Sequence, residues 1–235
     1  PADGDGRREP LSPMRRQIAE HMTRSRRTAA HVTTVAEVDM SRVAARRTEL
    51  KEPFAARGVS LTYLAFVTRA TVAALQEHPV LNASLDDHEL IYHDDVNLGI
   101  AVALEEGLIV PVIQKAQRLN LEGVAAAIAD LAGRARGKRL TPEDVQGGTF
   151  TITNPGQFGT VLATPIVNQP QVAILDLESI VKRPVVVEDE GGDSIAIRPM
   201  VNLCLSFDHR ALDGADAARF LGAVKARLEQ WADDA

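Results

Sequence analysis

From Gly147 to Phe207 the chain is a succession of β-type segments joined by turns. Gly147-Gly148 precedes TFTITN, in which Phe150 and Ile152 share one face and Thr149, Thr151 and Thr153 the other. QVAILDL follows, then IVKRPVVV and SIAIRPMVNLCLSF, the last two separated by the turn EDEGGD. The final run alternates Leu203, Leu205 and Phe207 against Asn202, Cys204 and Ser206. A period of two buries one face of a sheet and leaves the other polar. A chain committed to such strands must cover their apolar face with another layer.

The remaining segments supply that layer. Ser12 is a good N-cap and Pro13 suits the first helical position; Met14, Ile18 and Met22 then recur every four residues, with Arg15, Arg16, Arg24, Arg26 and Arg27 on the other faces. VTTVAEV, residues 32–38, reads as a strand. A second helix is expected with Ser41 as its cap and Gly58 beyond its end, and a third opening at Ser60 and stopped by Pro79. The third is apolar on more than one side and should be largely buried. Residues 90–112 read as one hairpin turning at Glu105-Glu106-Gly107. Asn120 caps LEGVAAAIADLAGRA, Thr141-Pro142-Glu143-Asp144 is a further capping signature, and the last helix starts near Asp213-Gly214 with Phe220, Leu221, Val224, Leu228 and Trp231 on one face. Helices mixed with turn-linked strands imply an α+β layered fold. No internal repeat or linker divides the 235 residues, so residues 11–235 are expected to form one domain behind a linker remnant, residues 1–10. The chain starts at Pro rather than Met, so a further segment upstream is expected.

Composition excludes several functions. With 26 Lys+Arg against 32 Asp+Glu the net charge is −6, too acidic for phosphate-backbone binding, and aromatics at 4% cannot build a stacking platform for single strands. No nucleic-acid partner is expected. No apolar run reaches the length that spans a bilayer, so no membrane partner is expected either. One cysteine allows no internal disulfide, and the six histidines form no HxH or HxxxH pair, so no metal site is expected. Cys204 lies in an apolar strand with nothing to lower its pKa and reads as packing. No GxGxxG or GxxxxGK loop is present.

Two places carry candidate chemistry. Asp208-His209-Arg210-Ala211-Leu212-Asp213-Gly214 joins the last strand to the last helix. Loops held between rigid elements often carry function, and an imidazole is mostly free to accept a proton at neutral pH. Asp213 is placed to orient that loop through an arginine. Thr153, at the end of TFTITN beside Pro155-Gly156, is placed to donate a hydrogen bond to a developing oxyanion.

The loop taken whole, SFDHRALDGADAARFL, resembles the hallmark of the dihydrolipoyl acyltransferase catalytic domain of 2-oxo acid dehydrogenase complexes, with its His-x-x-x-Asp-Gly motif. LSPMRRQIAEHM, HVTTVAEVDM, HPVLNAS, VNLGIAVALEEGLIVPVI, LTPEDVQGGTFTITNPGQFG, TPIVNQPQVAIL and VKRPVVV fall in the family's order, over roughly residues 10–230. The resemblance implies a chloramphenicol acetyltransferase-like mixed sheet with flanking helices, trimeric, with active sites between subunits. It implies coenzyme A as a substrate and a lipoyl group supplied by a lipoyl domain that this chain lacks. It implies His209 as general base toward the coenzyme A thiol, Thr153 as oxyanion donor, and Asp213 as the acid holding the site by an ion pair, with Arg15 or Arg16 as candidate partner. No coenzyme A contact residue is assigned. The implied partners are further copies of the chain, a lipoyl domain, a 2-oxo acid dehydrogenase and dihydrolipoamide dehydrogenase. The implied compartment is cytoplasmic for a bacterial source and the mitochondrial matrix for a eukaryotic one.

TITNPGQFG and TPIVNQPQVAIL resemble the succinyl branch, and ELKEPFAARGVSLTYLAF and HPVLNAS the branched-chain branch, with acetyl the third acyl group. Two features depart from the family. Asp176 stands where the family often has glycine after AIL, and the acidic end LEQWADDA replaces an apolar tail. Because burying unpaired carboxylates is costly, trimers are expected and a larger shell is not. The rival readings are a catalytically silent scaffold and a same-fold acyltransferase acting on a small hydroxyl or amine.

Overall fold

A computed structural model describes residues 6–105, 107–189 and 191–231. In chain order the elements are α1 (Pro13–Thr28), β1 (His31–Asp39), α2 (Ser41–Ala56), α3 (Tyr63–Glu77), β2 (Ala83–Asp86), β3 (Glu89–Tyr92), β4 (Leu98–Ile100), β5 (Val102–Leu104), β6 (Gly107–Ile109), β7 (Val112–Ile113), α4 (Leu121–Arg136), β8 (Phe150–Thr153), β9 (Ala173–Leu177), β10 (Val181–Asp189), β11 (Gly192–Asp208) and α5 (Gly214–Glu229).

The main sheet runs β1-β11-β9-β8-β4-β7, with β10 also paired to β11. β8 is parallel to both β4 and β9, whereas β11 is antiparallel to β1, β9 and β10. The sheet is therefore mixed, as expected. β11 is long enough to carry β1 along residues 200–208 while its first half closes a hairpin with β10. Phe150, Ile152, Leu175, Leu203, Leu205 and Phe207 are buried in a core shared with the apolar faces of α3 and α5. Phe66 meets Trp231 edge-on at 4.8 Å between centroids, and Phe220 tilts against Phe150 at 5.8 Å. Alternation leaves Thr151, Asp176, Cys204 and Ser206 on the opposite face. The segment 159–170 binds that side: Asn202 donates to the Val161 carbonyl, the Val167 amide to His31 Nε2, and Ser25 to the Val167 carbonyl.

Local capping follows the sequence at three places. The Ser12 and Asn120 side chains accept from the amides of Arg15 and Gly123, and Thr141 and Asp144 form a reciprocal capping box, although the helix it opens is a four-residue 3-10 turn. Three expectations are corrected. Ser41 is the first residue of α2, not its cap; its hydroxyl donates to Asp39 instead. α3 begins at Tyr63 behind Thr62, not at Ser60. The hairpin expected over residues 90–112 forms only over residues 98–113. There β4 pairs with β7 and β5 with β6 in one continuous register, while β3 pairs with β2 in a separate ribbon. The ladder is broken once, between its two halves. Pro111 has no N–H to extend a ladder, and the Ala101 amide leaves the hairpin to bond the Ile152 carbonyl of β8. A Cβ on Gly99 would stand 2.7 Å from Val110 Cγ1, so the strands cross closely there. The acidic end of the chain, 232–235, and the first five residues lie outside the described residues.

Candidate active site

β11 delivers the loop 208–213 to one edge of the molecule and α5 carries the chain away from it. Asp208, 2% exposed, anchors the loop. Its carboxylate accepts from the Ala30 and Arg210 amides, both at 3.1 Å, and from the Arg210 guanidinium through Nε at 3.0 Å and Nη2 at 2.6 Å. Burial pushes that carboxyl up, but the Arg210 fork and these amides together hold it below the usual carboxylate range. The clamp acting through an arginine, expected of Asp213, is thus made by Asp208.

Asp213 has a different task. It caps α5, accepting from the Ala215 and Asp216 amides at 2.8 and 3.0 Å, while its own amide donates to Asp216 Oδ2. The Asp216 and Ala215 amides hold its carboxyl below the usual range, with Arg219 and His209 adding in the same direction. The expected pairing with Arg15 or Arg16 is not formed within the chain. Arg15 lies instead against Gly107 in the β5–β6 hairpin, its Nη2 3.5 Å from where a Cβ would stand.

Between these two carboxylates, the His209 amide donates to the Ala30 carbonyl at 2.9 Å and its ring tilts over Phe207 at 5.8 Å between centroids. Both contacts orient the ring, and its side chain is exposed. His209 and Asp213 are brought together, then, as the motif spacing implied.

Thr153 is elsewhere. It ends β8 and stands opposite Asp176 of β9, which stands opposite Cys204 of β11. His209 lies five residues past Cys204. At ~3.3 Å per residue and ~4.8 Å per strand, that is ~17 Å along and ~10 Å across, so Thr153 and His209 of one chain are on the order of 20 Å apart. The Thr153 hydroxyl is half-buried and has no hydrogen-bond partner among the described residues.

Next to Thr153 opens a cleft of about 820 Å³, bordered by Asn154 and Phe158 of the following turn and by Arg47, Ser60, Tyr63 and Arg136. Arg47 donates to the Leu61 carbonyl and lies 4.9 Å from the Tyr63 ring centre; neither it nor Arg136 has an acidic partner among the described residues. No sequence motif pointed to this pair, because it is assembled from α2 and α4. Cys204 is fully buried, and burial pushes its thiol up to about 11, consistent with a packing role. Among the described residues no group of three or more His, Cys, Asp or Glu side chains is placed to hold a metal ion, and no helix is long and apolar enough to cross a membrane.

The mixed sheet with helices over one face and the histidine loop at its edge form an α+β layer fold. Chloramphenicol acetyltransferase shares it, with a TM-score of 0.56 over 89% of this chain and 94% of that one at 15% identity. The chain belongs to the family described as 2-oxoacid dehydrogenases acyltransferase (catalytic domain), whose model matches residues 3–233. It is 46% identical over 231 residues to the lipoamide acyltransferase component of the branched-chain alpha-keto acid dehydrogenase complex of Bacillus subtilis, covering 97% of this chain and 54% of that protein. It is 52% identical over 204 residues to the dihydrolipoyllysine-residue acetyltransferase component of the pyruvate dehydrogenase complex of Corynebacterium glutamicum, covering 86% and 30%. The chain thus spans about half or less of these relatives. Among solved structures, the dihydrolipoamide acetyltransferase of Azotobacter vinelandii superimposes with a TM-score of 0.92 at 35% identity, over 97% of this chain and 95% of that one. That work investigated the roles of a serine, a histidine and an asparagine in its catalytic mechanism.

Proposed function

We propose that the chain transfers an acyl group between a dihydrolipoyl arm and coenzyme A, at sites completed by a second copy of itself. The separation of Thr153 from His209 carries this reading. No bending of one sheet brings together two groups held at its opposite ends, so a shared site needs His209 from one copy and Thr153 from the next. A head-to-tail contact of that kind closes into a ring, and the homotrimer is the ring that the family resemblance implies. The histidine and asparagine studied in the Azotobacter enzyme are four residues apart, the separation of His209 and Asp213 here.

In the forward direction His209 takes the proton of the coenzyme A thiol, which at a pKa near ~8.5 is mostly protonated at neutral pH. The thiolate attacks the thioester carbonyl of the acyl-dihydrolipoyl arm, and the Thr153 hydroxyl donates to the oxygen that becomes negative. Collapse breaks the bond to the dihydrolipoyl sulfur, which leaves with the proton held by His209. An oxyanion donor of this kind is worth about 2.7–4 kcal/mol. Asp213 holds the start of α5, and with it the end of the His209 loop. The unpaired Arg47 and Arg136 suit the phosphates of coenzyme A, with the cleft leading to Thr153. Branched-chain acyl and succinyl are the groups the sequence segments favour, with acetyl the third. Comparing the three acyl-coenzyme A compounds against free dihydrolipoamide separates them, and none should react with a plain hydroxyl or amine acceptor. A lipoyl domain, a 2-oxo acid dehydrogenase and dihydrolipoamide dehydrogenase complete the reaction, in the cytoplasm of a bacterial source.

Subunit complementation tests the reading. His209→Ala and Thr153→Ala should each be inactive alone. Dissociated, mixed in equal amounts and reassembled, they should regain activity in about one quarter of the sites, since each site draws one group from each of two neighbours. No recovery on mixing would refute the shared site, and full activity of His209→Ala would favour the silent scaffold.

A further inference from the structure

Asp176 and Glu178 lie two residues apart on β9 and its extension, so both side chains are on the sheet face that carries Thr153. They are 1% and 2% exposed. Each carboxyl acts on the titration of the other, and neither has a basic partner among the described residues. Asp176 Oδ1 and Glu178 Oε2 are buried without a hydrogen-bond partner among the described residues. Two neighbouring buried carboxyls without a cation cannot both be ionised, so they hold one proton between them. Its place follows from the neighbours. Glu178 accepts from Cys204 Sγ at 3.8 Å, and the Ala163 amide also lowers its carboxyl, which suits the charged member and leaves Asp176 as the protonated one.

This pair is packed onto the turn that follows Thr153. A Cβ on Gly156 would stand 2.2 Å from the Glu178 carbonyl carbon, and Ser179 Oγ donates to the Gly156 carbonyl at 2.6 Å. Thr153 is the register partner of Asp176, and its hydroxyl is otherwise unengaged. While Asp176 keeps its proton, the hydroxyl is free to donate to substrate. Once Asp176 is ionised, its carboxylate, on the neighbouring strand and the same sheet face, competes for that hydroxyl.

We propose that Asp176 is a positioning residue, whose shared proton with Glu178 leaves the Thr153 hydroxyl aimed at the reacting carbonyl and whose ionisation withdraws it. The inference rests on Thr153 being the oxyanion donor. The surroundings contain few other charges. β8 contributes Thr151 and Thr153, segment 154–170 contributes no titratable side chain, and β11 contributes Asn202 and the Cys204 thiol, which burial keeps protonated. Glu37 of β1, further along that face, is paired with Arg183 of β10. Arg47 and Arg136 border the same cleft as Glu178 without pairing to it. Burial first, and then Glu178, raise the Asp176 carboxyl to about 8.

The test is kcat and KM for acyl transfer by the assembled protein across neutral to alkaline pH. In the wild type, kcat should fall about tenfold per pH unit beyond the ionisation of the pair, with KM for coenzyme A little changed. Asp176→Asn, which keeps shape and a donor but cannot ionise, should lose that alkaline decline while keeping kcat near pH 7 within about threefold of wild type. Glu178→Gln removes the like charge and should move the decline to lower pH. A decline retained in Asp176→Asn, or absent from the wild type, overturns the proposal while leaving the acyltransferase reading intact. Absence of transfer by the wild type at every pH overturns both.

Discussion

The proton on Asp176 has a thermodynamic signature that is independent of catalysis. The carboxyl is pushed from an ordinary value of 3.8 to about 8, burial being the larger cause and Glu178 the second. The folded chain therefore keeps a proton that the unfolded chain sheds. For an acid whose folded value is raised, the stabilisation is fully present below the unfolded pKa and is lost progressively as pH rises toward the folded one. Within that window the native state binds one proton more than the unfolded state, so stability falls by about 1.4 kcal/mol per pH unit from this group alone. Between about pH 6 and about pH 8 the loss comes to roughly 2 kcal/mol, since the slope halves at the folded value, and that is a large share of the stability of an ordinary domain. Asp176→Asn removes the ionisation while keeping shape and a donor. The assay is urea denaturation of both proteins at one matched concentration over that pH range. The variant should overtake the wild type as pH rises, its curve flatter by the predicted slope. Parallel curves would show that no proton is held there, and the argument from burial would fail with them.

Two further outcomes follow from the packing around the site. Gly156→Ala places a Cβ against the Glu178 backbone, which cannot swing aside as a side chain can; destabilisation of about 3 kcal/mol is expected, seen as a fall in Tm of roughly 6–12 °C. Asp208→Asn removes the charge and one of the two acceptor oxygens of the Arg210 fork and should cost about 2 kcal/mol near neutral pH. Because the Asp208 carboxyl is held low in the fold, its contribution is present above the ordinary carboxylate value and is lost as pH falls through the lowered one. The gap between variant and wild type should therefore close in acid, and a gap independent of pH would refute the assignment.

Much of this architecture is local in origin and so was legible. Ser12, Asn120 and Thr141 announce their caps because a side-chain oxygen reaching an amide two or three residues on needs no partner elsewhere. The alternation of Leu203, Leu205 and Phe207 against Asn202, Cys204 and Ser206 states which face of β11 joins the apolar core, since the pleat alone sets it; the polar face, expected open, is buried as well. The His209–Asp213 motif is contained in one loop and survives intact. Local pattern failed where a long-range bond decided the outcome. The expected hairpin is cut to residues 98–113 because β3 pairs with β2 instead, and its ladder is broken once where the Ala101 amide bonds Ile152, fifty-one residues away. Arg47 and Arg136 border one cleft that exists only once α2 and α4 have both packed on α3.

Residue types and their periods were enough to determine an α+β layer fold, the core-facing side of each main strand and the histidine loop, because these depend on neighbours a few positions apart. The register of β8, β9 and β11 belongs to the tertiary structure alone. It sets Thr153 far from His209 on the same chain and places Asp176 beside it, since hydrogen-bonded strand pairing carries no mark in the order of the residues that it aligns.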